Sequence, residues 1–325
     1  MDKILVSRTD GLGDLLLTTP LFFELRKGYP SAHISALVSS YAAGLLHNNP
    51  AVNEIIVYEK GGHGALLKKL KADKYDTVIA VYPRPALAWL FMRAGIPLRY
   101  GTSSRWYSFM YNRRVKMSRK KSEKHEADYN IMTAGDLLGP AKAVKEYFYM
   151  TPEEKQAGRD YVNKKGIRDD FFIVHPGSKG SAWNLSELKY GELAACLIGA
   201  GYKVLLTGGP SEKGLLRRVA ASVSNREGLF IMDETMGLRE FAAVIAQAKA
   251  VISCSTGPMH IAAALGVRTM SFFPHDDQTS MKPLRWGPLG NISAIIQPAY
   301  NEPDALNSLE CDFMLAKLRE LLVRI

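Results

Sequence analysis

The feature that most constrains the fold is a repeated alternation of short β-branched runs with longer helical segments. This alternation is typical of parallel sheets covered by helices, because each parallel strand needs a crossover to return the chain. The runs form two series, joined by a charged helical segment that Pro152 opens. We therefore predict an α/β protein with two Rossmann-like, doubly wound domains, residues 1–150 and 151–325, that face a central cleft. The terminal helix, residues 309–324, could pack back on the first domain.

The pattern gives approximate bounds for most elements of both series. A helix over residues 14–27 must kink or restart at Pro20, since proline is tolerated only in a first turn. The predicted strands are residues 3–7, 33–38, 54–58, 77–81, 171–174, 203–207, 250–253 and 268–273. The other predicted helices are residues 64–74, 125–138, 186–200, 238–248, 255–265 and 309–324.

Composition excludes several classes of protein. The chain is 47% hydrophobic and 23% charged, which is ordinary for a folded protein. No apolar run approaches the roughly 18 residues of a membrane span, and the N-terminus lacks a signal-peptide pattern. The three cysteines are far apart and lack metal-ligand spacing, so we expect neither a disulfide framework nor a zinc cluster. These features predict a cytoplasmic protein.

The positive charge is unevenly distributed. Of the net charge of +10, most comes from residues 1–150, and residues 99–124 hold nine Lys and Arg against the single acid Glu123. Trp106 and Phe109 are among the aromatic residues that interleave with this basic segment. Such a segment attracts an anionic membrane, a phosphorylated ligand or nucleic acid, although a solvated loop would have the same composition.

The loop after the first strand carries two carboxylates on a glycine turn. Gly11 and Gly13 resemble a dinucleotide fingerprint, but the third glycine is missing and no acid follows the second strand, which argues against a nicotinamide site. Asp10 and Asp14 remain, with Arg8 just before them. Asp14 would either serve the following helix as a cap or dipole partner, or act as a general base that faces the cleft.

Two loops of the second series offer close backbone approach. Residues 175–184 include Ser178 and Lys179, which suit a phosphate, although a loop packed through a tryptophan explains the pattern equally well. Gly208 and Gly209 follow a buried strand and suit a nucleotide, but strand-to-helix glycines are common.

A further loop opens an alanine-rich helix. Thr256 and Gly257 would leave backbone N–H groups and the helix dipole directed at a diphosphate. Met259 and His260 follow in the first turn, where the imidazole would either contact a phosphate or serve a structural role.

Five motifs, in this order along nearly the whole chain, resemble glycosyltransferase family 9, the ADP-heptose:lipopolysaccharide heptosyltransferases and their relatives. The motifs are ILVSRTDGLGDLLLTTP, HPGS, GGP, STGPMHIAAALG and RWGP. The resemblance implies a GT-B fold, with the acceptor bound by the first domain and the nucleotide sugar by the second. It also implies inverting, metal-independent transfer with no cofactor beyond the donor, an ADP-sugar.

The resemblance assigns roles to particular residues. Asp14 matches the family's catalytic base, and the residues around it would bind the acceptor. The donor phosphates would be held by Ser178, Lys179, Thr256, Gly257, Met259 and His260. The donor nucleotide and sugar would contact Gly208, Gly209 and Ser255, and the acceptor would contact Arg8, Asp10, Gly11 and Gly13.

Two departures from the family pattern concern the donor. Ser255 stands where the heptosyltransferases usually have an aspartate that contacts the sugar, and Ser181 and Asn184 stand where they have lysine and proline. The implied partners are a nucleotide sugar, a lipid-linked or core oligosaccharide acceptor and the anionic inner membrane, with peripheral attachment and no nucleic acid. A sugar-nucleotide epimerase of GT-B-like shape and a non-catalytic nucleotide-sugar-binding relative are the alternatives.

Overall fold

The computed structural model describes residues 1–168, 170–178, 180, 183–277, 279–302 and 304–324. The chain divides into two compact units, Met1–Tyr149 and Met150–Ile325. Each unit is built on one six-stranded parallel sheet with helices.

The first unit contains six strands and five α-helices. Its strands are β1 (Lys3–Arg8), β2 (His33–Ser39), β3 (Glu54–Tyr58), β4 (Thr77–Ala80), β5 (Leu98–Thr102) and β6 (Arg113–Val115). Its helices are α1 (Leu12–Leu16), α2 (Thr19–Gly28), α3 (His63–Asp73), α4 (Pro85–Arg93) and α5 (Glu126–Met132). The sheet order is β3-β2-β1-β4-β5-β6. Successive strands are added on one side of β1 up to β3 and then on its other side from β4, so the strand order reverses between β1 and β4.

The second unit repeats this plan. Its strands are β7 (Phe171–His175), β8 (Lys203–Leu206), β9 (Leu229–Ile231), β10 (Ala250–Cys254), β11 (Arg268–Phe272) and β12 (Ser293–Ile296). Its helices are α6 (Pro152–Lys164), α7 (Glu187–Gly199), α8 (Lys213–Ala221), α9 (Leu238–Ile245), α10 (Gly257–Ala264), α11 (Pro283–Trp286) and α12 (Cys311–Val323). The order β12-β11-β10-β7-β8-β9 places its reversal between β7 and β10.

The predicted break at Pro20 is confirmed. Helix α1 ends at Leu16, and α2 begins at Thr19 with the proline in its first turn, where the missing N–H would have no partner in the helix. Four predicted strands of each unit are present, but the sequence patterns missed β5, β6, β9 and β12. Strands β6, β9 and β12 are at sheet edges, and β5 lies between β4 and β6.

The central strands are buried because helices cover both faces of each sheet. Ile4, Leu5 and Val6 in β1 are fully buried, as are Val251 and Ile252 in β10. These runs lack an apolar–polar alternation, as expected for parallel strands with two covered faces.

Helix α12 packs on α7, β11 and β12. A disulfide joins Cys196 of α7 to Cys311 of α12, whose Cα atoms are 6.5 Å apart. The expectation that the cysteines form no disulfide was therefore wrong for this pair. The expectation rested on the wide spacing of the three cysteines and on their lack of a recognisable motif. The fold brings α7 and α12 together across the 115 residues that separate this pair.

Within the residues described, none of the helices has the length and apolar character needed to cross a membrane.

Candidate functional site

The carboxyl end of β1 holds a buried guanidinium. Arg8 is the last residue of the strand, and only 3% of its side chain is exposed. Its Nε donates to Asp10 Oδ1 at 2.7 Å, and its Nη2 donates to Asp14 Oδ1. One guanidinium therefore fixes both carboxylates of the glycine turn.

The other end of the same guanidinium faces α5. Arg8 Nη1 donates to Asn130 Oδ1 at 3.0 Å and lies 3.6 Å from Glu126 Oε1. Arg119 contacts the same two side chains, with its Nη2 3.3 Å from Asn130 Oδ1 and its Nε 3.4 Å from Glu126 Oε1. We call Arg8, Asp10, Asp14, Glu126 and Asn130 the β1 clamp.

Burial and neighbouring charge shift the pKa values of this cluster. Burial alone would lower the pKa of Arg8, but Asp10, Asp14 and Glu126 outweigh it, and the pKa is raised. Burial raises the pKa of Asp10 to about 6, against the opposing effect of Arg8 and with a further rise from Asp14. Burial and the same two carboxylates raise the pKa of Tyr41, whose hydroxyl donates to the Asp10 carbonyl at 3.0 Å.

Asp14 is the more accessible carboxylate, with 26% of its side chain exposed against 17% for Asp10. The N-cap of α1 is Gly11, and among the described residues no side chain caps the helix. Asp14 lies in the first turn of α1, where a carboxylate also interacts favourably with the helix dipole. A Cβ atom on Gly11 would lie 2.6 Å from Asp14 Oδ2, which explains the glycine at this position. The Gly11 and Gly13 carbonyls accept backbone bonds from Leu15 and Leu17.

The corresponding edge of the second unit is built differently. Thr256 precedes α10 in an extended conformation, and no side chain among the described residues caps the helix. The Thr256 hydroxyl donates to the Cys254 carbonyl at 3.3 Å, while Met259 and His260 are buried in the first turn. The start of α10 thus presents the backbone of Gly257 without a carboxylate, which suits an anionic ligand.

The loops after β7 and β8 are closely packed. Glu212 Oε2 accepts from the Gly209 backbone N–H at 2.6 Å, and a Cβ atom on Gly177 would collide with the same carboxylate. A Cβ atom on Gly208 would lie 3.2 Å from Glu212 Cβ and Leu216 Cδ2. Packing therefore explains the glycine at position 208, while the Gly209 backbone N–H is committed to Glu212.

The loop after β7 contains the remaining phosphate-binding candidates. Ser178 Oγ accepts from the Gly180 backbone N–H at 3.3 Å. Asn184 donates to the Pro176 carbonyl at 2.6 Å and accepts from Tyr190 at 2.7 Å, so it joins the loop to α7. Lys179 lies outside the described residues, as does Ser181.

The basic segment, residues 99–124, overlaps most of β5 and includes β6. Between these strands Trp106 is 79% exposed and Phe109 is 64% exposed. Arg119 contacts Asn130 and Glu126 of the β1 clamp. The segment therefore has exposed aromatic side chains and also a cation that binds the clamp.

Glu126 and Asn130 are the site residues that sequence reasoning missed. They lie four residues apart on α5, and both are buried. The sequence did contain a signal for them. Residues four apart lie on one face of a helix, and this helix also buries Ala127, Tyr129 and Ile131, so the two polar side chains could be expected to be buried together.

Across the described ranges, no group of three or more His, Cys, Asp or Glu side chains is placed to hold a metal ion. The assignments to donor and acceptor remain predictions for all the site residues named above.

Comparison with known proteins gives the family. Residues 63–310 match glycosyltransferase family 9 (heptosyltransferase). A Haemophilus influenzae protein with a provisional glycosyltransferase name is 30% identical over 98% of this chain and 96% of its own. Lipopolysaccharide heptosyltransferase 3 of Escherichia coli K12 is 26% identical over 83% of this chain and 82% of its own.

A solved structure confirms the fold class. The ADP-heptose lipopolysaccharide heptosyltransferase II of E. coli superposes with a TM-score of 0.84, at 22% identity and 99% coverage of both chains. The architecture is thus the GT-B type, with two Rossmann-like units. The chain belongs to glycosyltransferase family 9, the heptosyltransferase family, and is a heptosyltransferase-like enzyme.

Proposed function

We propose that this enzyme transfers a heptose or related sugar from an ADP-sugar to a hydroxyl of a lipopolysaccharide core or similar cell-surface glycan. The observation that carries the proposal is the Asp14 carboxylate, partly exposed at the carboxyl end of β1 and held by a buried guanidinium. Ligands of open α/β sheets bind at this end of the strands, where the chain order reverses.

In the proposed step Asp14 accepts the proton of the acceptor hydroxyl as that oxygen attacks the anomeric carbon. The bond from this carbon to the diphosphate breaks, and the nucleoside diphosphate leaves with the electron pair. A single displacement inverts the anomeric configuration and needs one base. Neither a metal nor a further cofactor is assigned a step.

The leaving diphosphate would be stabilised by the start of α10. The backbone N–H groups of Gly257 and Met259 and the hydroxyl of Thr256 are suited to this role, because no acidic residue lies in the first turn. His260 and Ser178 would support the same phosphates, and Lys179 is proposed as the cation of the neighbouring loop.

The ADP-sugar donor is supported by the relatives. The E. coli structure is named for ADP-heptose, and a second solved E. coli heptosyltransferase is described with ADP. Ser255 stands where the family usually has an aspartate that contacts the donor sugar. For this reason we propose as donor sugar either heptose or a close relative of it.

We also propose peripheral attachment to the cytoplasmic face of an anionic inner membrane. The basic segment supports this contact, since each Lys or Arg near such a surface contributes about 1 kcal/mol to the free energy of membrane binding. Trp106 and Phe109 are exposed within it and suit the membrane–water interface. Flotation with anionic and neutral liposomes tests the contact: binding should require anionic lipid and fall with salt, and equal binding to both would contradict it.

The donor and reaction class are tested on the wild-type enzyme with ADP, UDP and GDP sugars, by thermal shift and by product analysis. We expect stabilisation by the ADP compounds and sugar transfer only when acceptor is present. Donor turnover without acceptor would instead favour an epimerase, and donor binding with no turnover would favour a non-catalytic binding protein.

A further inference from the structure

We infer that Glu126 and Asn130 of α5 are positioning residues, which hold the Asp14 carboxylate in place through the Arg8 guanidinium. The inference rests on the proposed function, in which Asp14 is the base. Neither residue lies in a motif of the family resemblance, and neither contacts Asp14 directly in the described hydrogen bonds.

The guanidinium connects two elements that are distant in sequence. Its Nε and Nη2 bind the carboxylates of the glycine turn, and its Nη1 binds Asn130 Oδ1 at 3.0 Å beside Glu126 Oε1 at 3.6 Å. A planar guanidinium has a fixed donor geometry, so fixing one edge orients the other. The position of Asp14 thus depends on where α5 holds Arg8.

Asn130 fixes the turn from a second direction. Its Nδ2 donates to the Leu17 carbonyl at 3.0 Å and lies 3.2 Å from Thr18 Oγ1. The Thr18 hydroxyl in turn donates to the Asp14 carbonyl at 2.8 Å. One side chain of α5 therefore contacts both the guanidinium and the chain that follows the base.

The side chains of this network are buried, so losing one of its contacts is costly. Those of Arg8 and Glu126 are 3% and 2% exposed, and Asn130 is fully buried. A buried charge that loses a partner keeps its desolvation cost, so a conformation that breaks these contacts is strongly disfavoured. Catalytic groups need this kind of support, because small displacements of a base lower turnover.

The clamp is a network of charges, and its net charge affects the base. The charged or titratable groups that face Arg8 and Asp14, directly or through one neighbour, are Asp10, Tyr41, Tyr82, Arg84, Arg119 and Glu126. Removing the Glu126 charge leaves Arg8 with one negative neighbour fewer, which favours the ionised form of Asp14. The acid limb of the kcat profile, which reports protonation of the base, should then move to lower pH.

The test is the pH dependence of kcat for Glu126→Gln, which keeps the side-chain shape and removes the charge. We expect kcat to fall about tenfold with the donor KM unchanged. The acid limb should move down by about half a pH unit, less than for a carboxylate in direct contact with the base. Glu126→Asp, which keeps the charge, should leave the acid limb in place.

Glu54→Gln is the matched control. Glu54 is a partly buried carboxylate of the same sheet, paired with Lys69 at 2.7 Å, and it has no contact with the clamp among the described bonds. Its replacement should leave kcat and the acid limb unchanged. A folded Glu126→Gln enzyme that behaves in the same way would overturn the inference.

Asn130→Ser covers the case in which Glu126→Gln does not fold. It should lower kcat with unchanged donor affinity, whereas unchanged kcat, or failure of both variants to fold, would assign α5 a purely structural role. Asp14→Asn is measured in parallel. If that variant keeps turnover, the proposed function fails; if it loses turnover while Glu126→Gln keeps it, only the positioning role fails.

Discussion

The two units place different chemistry at the same position of one topology. In the first sheet the chain order reverses beside β1, whose loop carries Asp10 and Asp14 on a buried guanidinium. In the second sheet it reverses beside β10, whose loop carries Thr256 and Gly257 at a helix start that no described side chain caps and whose first turn has no acid. One edge is built from ionised side chains, and the other from backbone donors.

This difference shows what the fold decides and what the loops decide. The strand order brings the carboxyl ends of particular strands to a point where ligands bind. Whether that point abstracts a proton or holds a phosphate depends on a few loop residues. In the proposed function the first unit removes the proton and the second binds the diphosphate.

The strongest way to break this comparison is to remove the base. Asp14→Asn should lower kcat by about 100- to 10,000-fold, because the amide cannot accept the acceptor's proton. Steady-state transfer assays with saturating donor measure the effect. Wild-type turnover would dismiss Asp14 as the base.

Gly11→Ala tests whether a glycine is needed at position 11 to leave room for the Asp14 carboxylate. The added Cβ would lie 2.6 Å from Asp14 Oδ2 and displace it, and we expect kcat to fall about 10- to 100-fold. Gly64→Ala in α3 is the control, since the added methyl meets open space. Equal turnover in the two variants would show that Asp14 tolerates the shift.

Much of the fold could be predicted from the sequence, and the reasons are local. The central strands are continuous apolar runs. Pro20 marks a helix start because proline fits only in the first turn, whatever the tertiary structure around it. Strand β6 escaped prediction because it is a largely exposed run of two arginines and a valine, with the composition of a loop. Its strand character comes from pairing with β5.

The site was predictable only in part. Asp14 and the start of α10 lie in motifs, so the resemblance found them. Glu126 acts through Arg8, 118 residues earlier in the chain. The helical spacing of Glu126 and Asn130 could indicate a shared buried face, but not the contact with Arg8. The disulfide between Cys196 and Cys311 escaped for the same reason.

Gly177→Ala is the counterpart of Gly11→Ala in the second unit. Here the added Cβ collides with Glu212, which binds the Gly209 backbone rather than a reacting group. We expect a loss of about 1–3 kcal/mol in the free energy of unfolding, measured by urea denaturation, with little change in kcat of the folded enzyme. A selective loss of turnover would place Glu212 in the chemistry instead.

The smallest effect concerns Asp10. Its pKa of about 6 in the folded protein exceeds the ordinary value near 4, so its contribution to stability is full below about pH 4 and is lost as the pH rises through 6. Asn at this position does not titrate. The unfolding free energy of Asp10→Asn relative to wild type should therefore rise from pH 4 to pH 7, by on the order of 1 kcal/mol. A difference independent of pH would contradict the raised pKa.

The division of labour between the units is tested most directly by calorimetric titration of ADP into wild type, Asp14→Asn and Thr256→Val, with Thr256→Ser as the control that keeps the hydroxyl. We predict that Asp14→Asn binds ADP with wild-type affinity, while Thr256→Val binds it about 10- to 100-fold more weakly, as expected for one lost hydrogen bond to a charged group. Weakened binding in Asp14→Asn with unchanged binding in Thr256→Val would contradict the account.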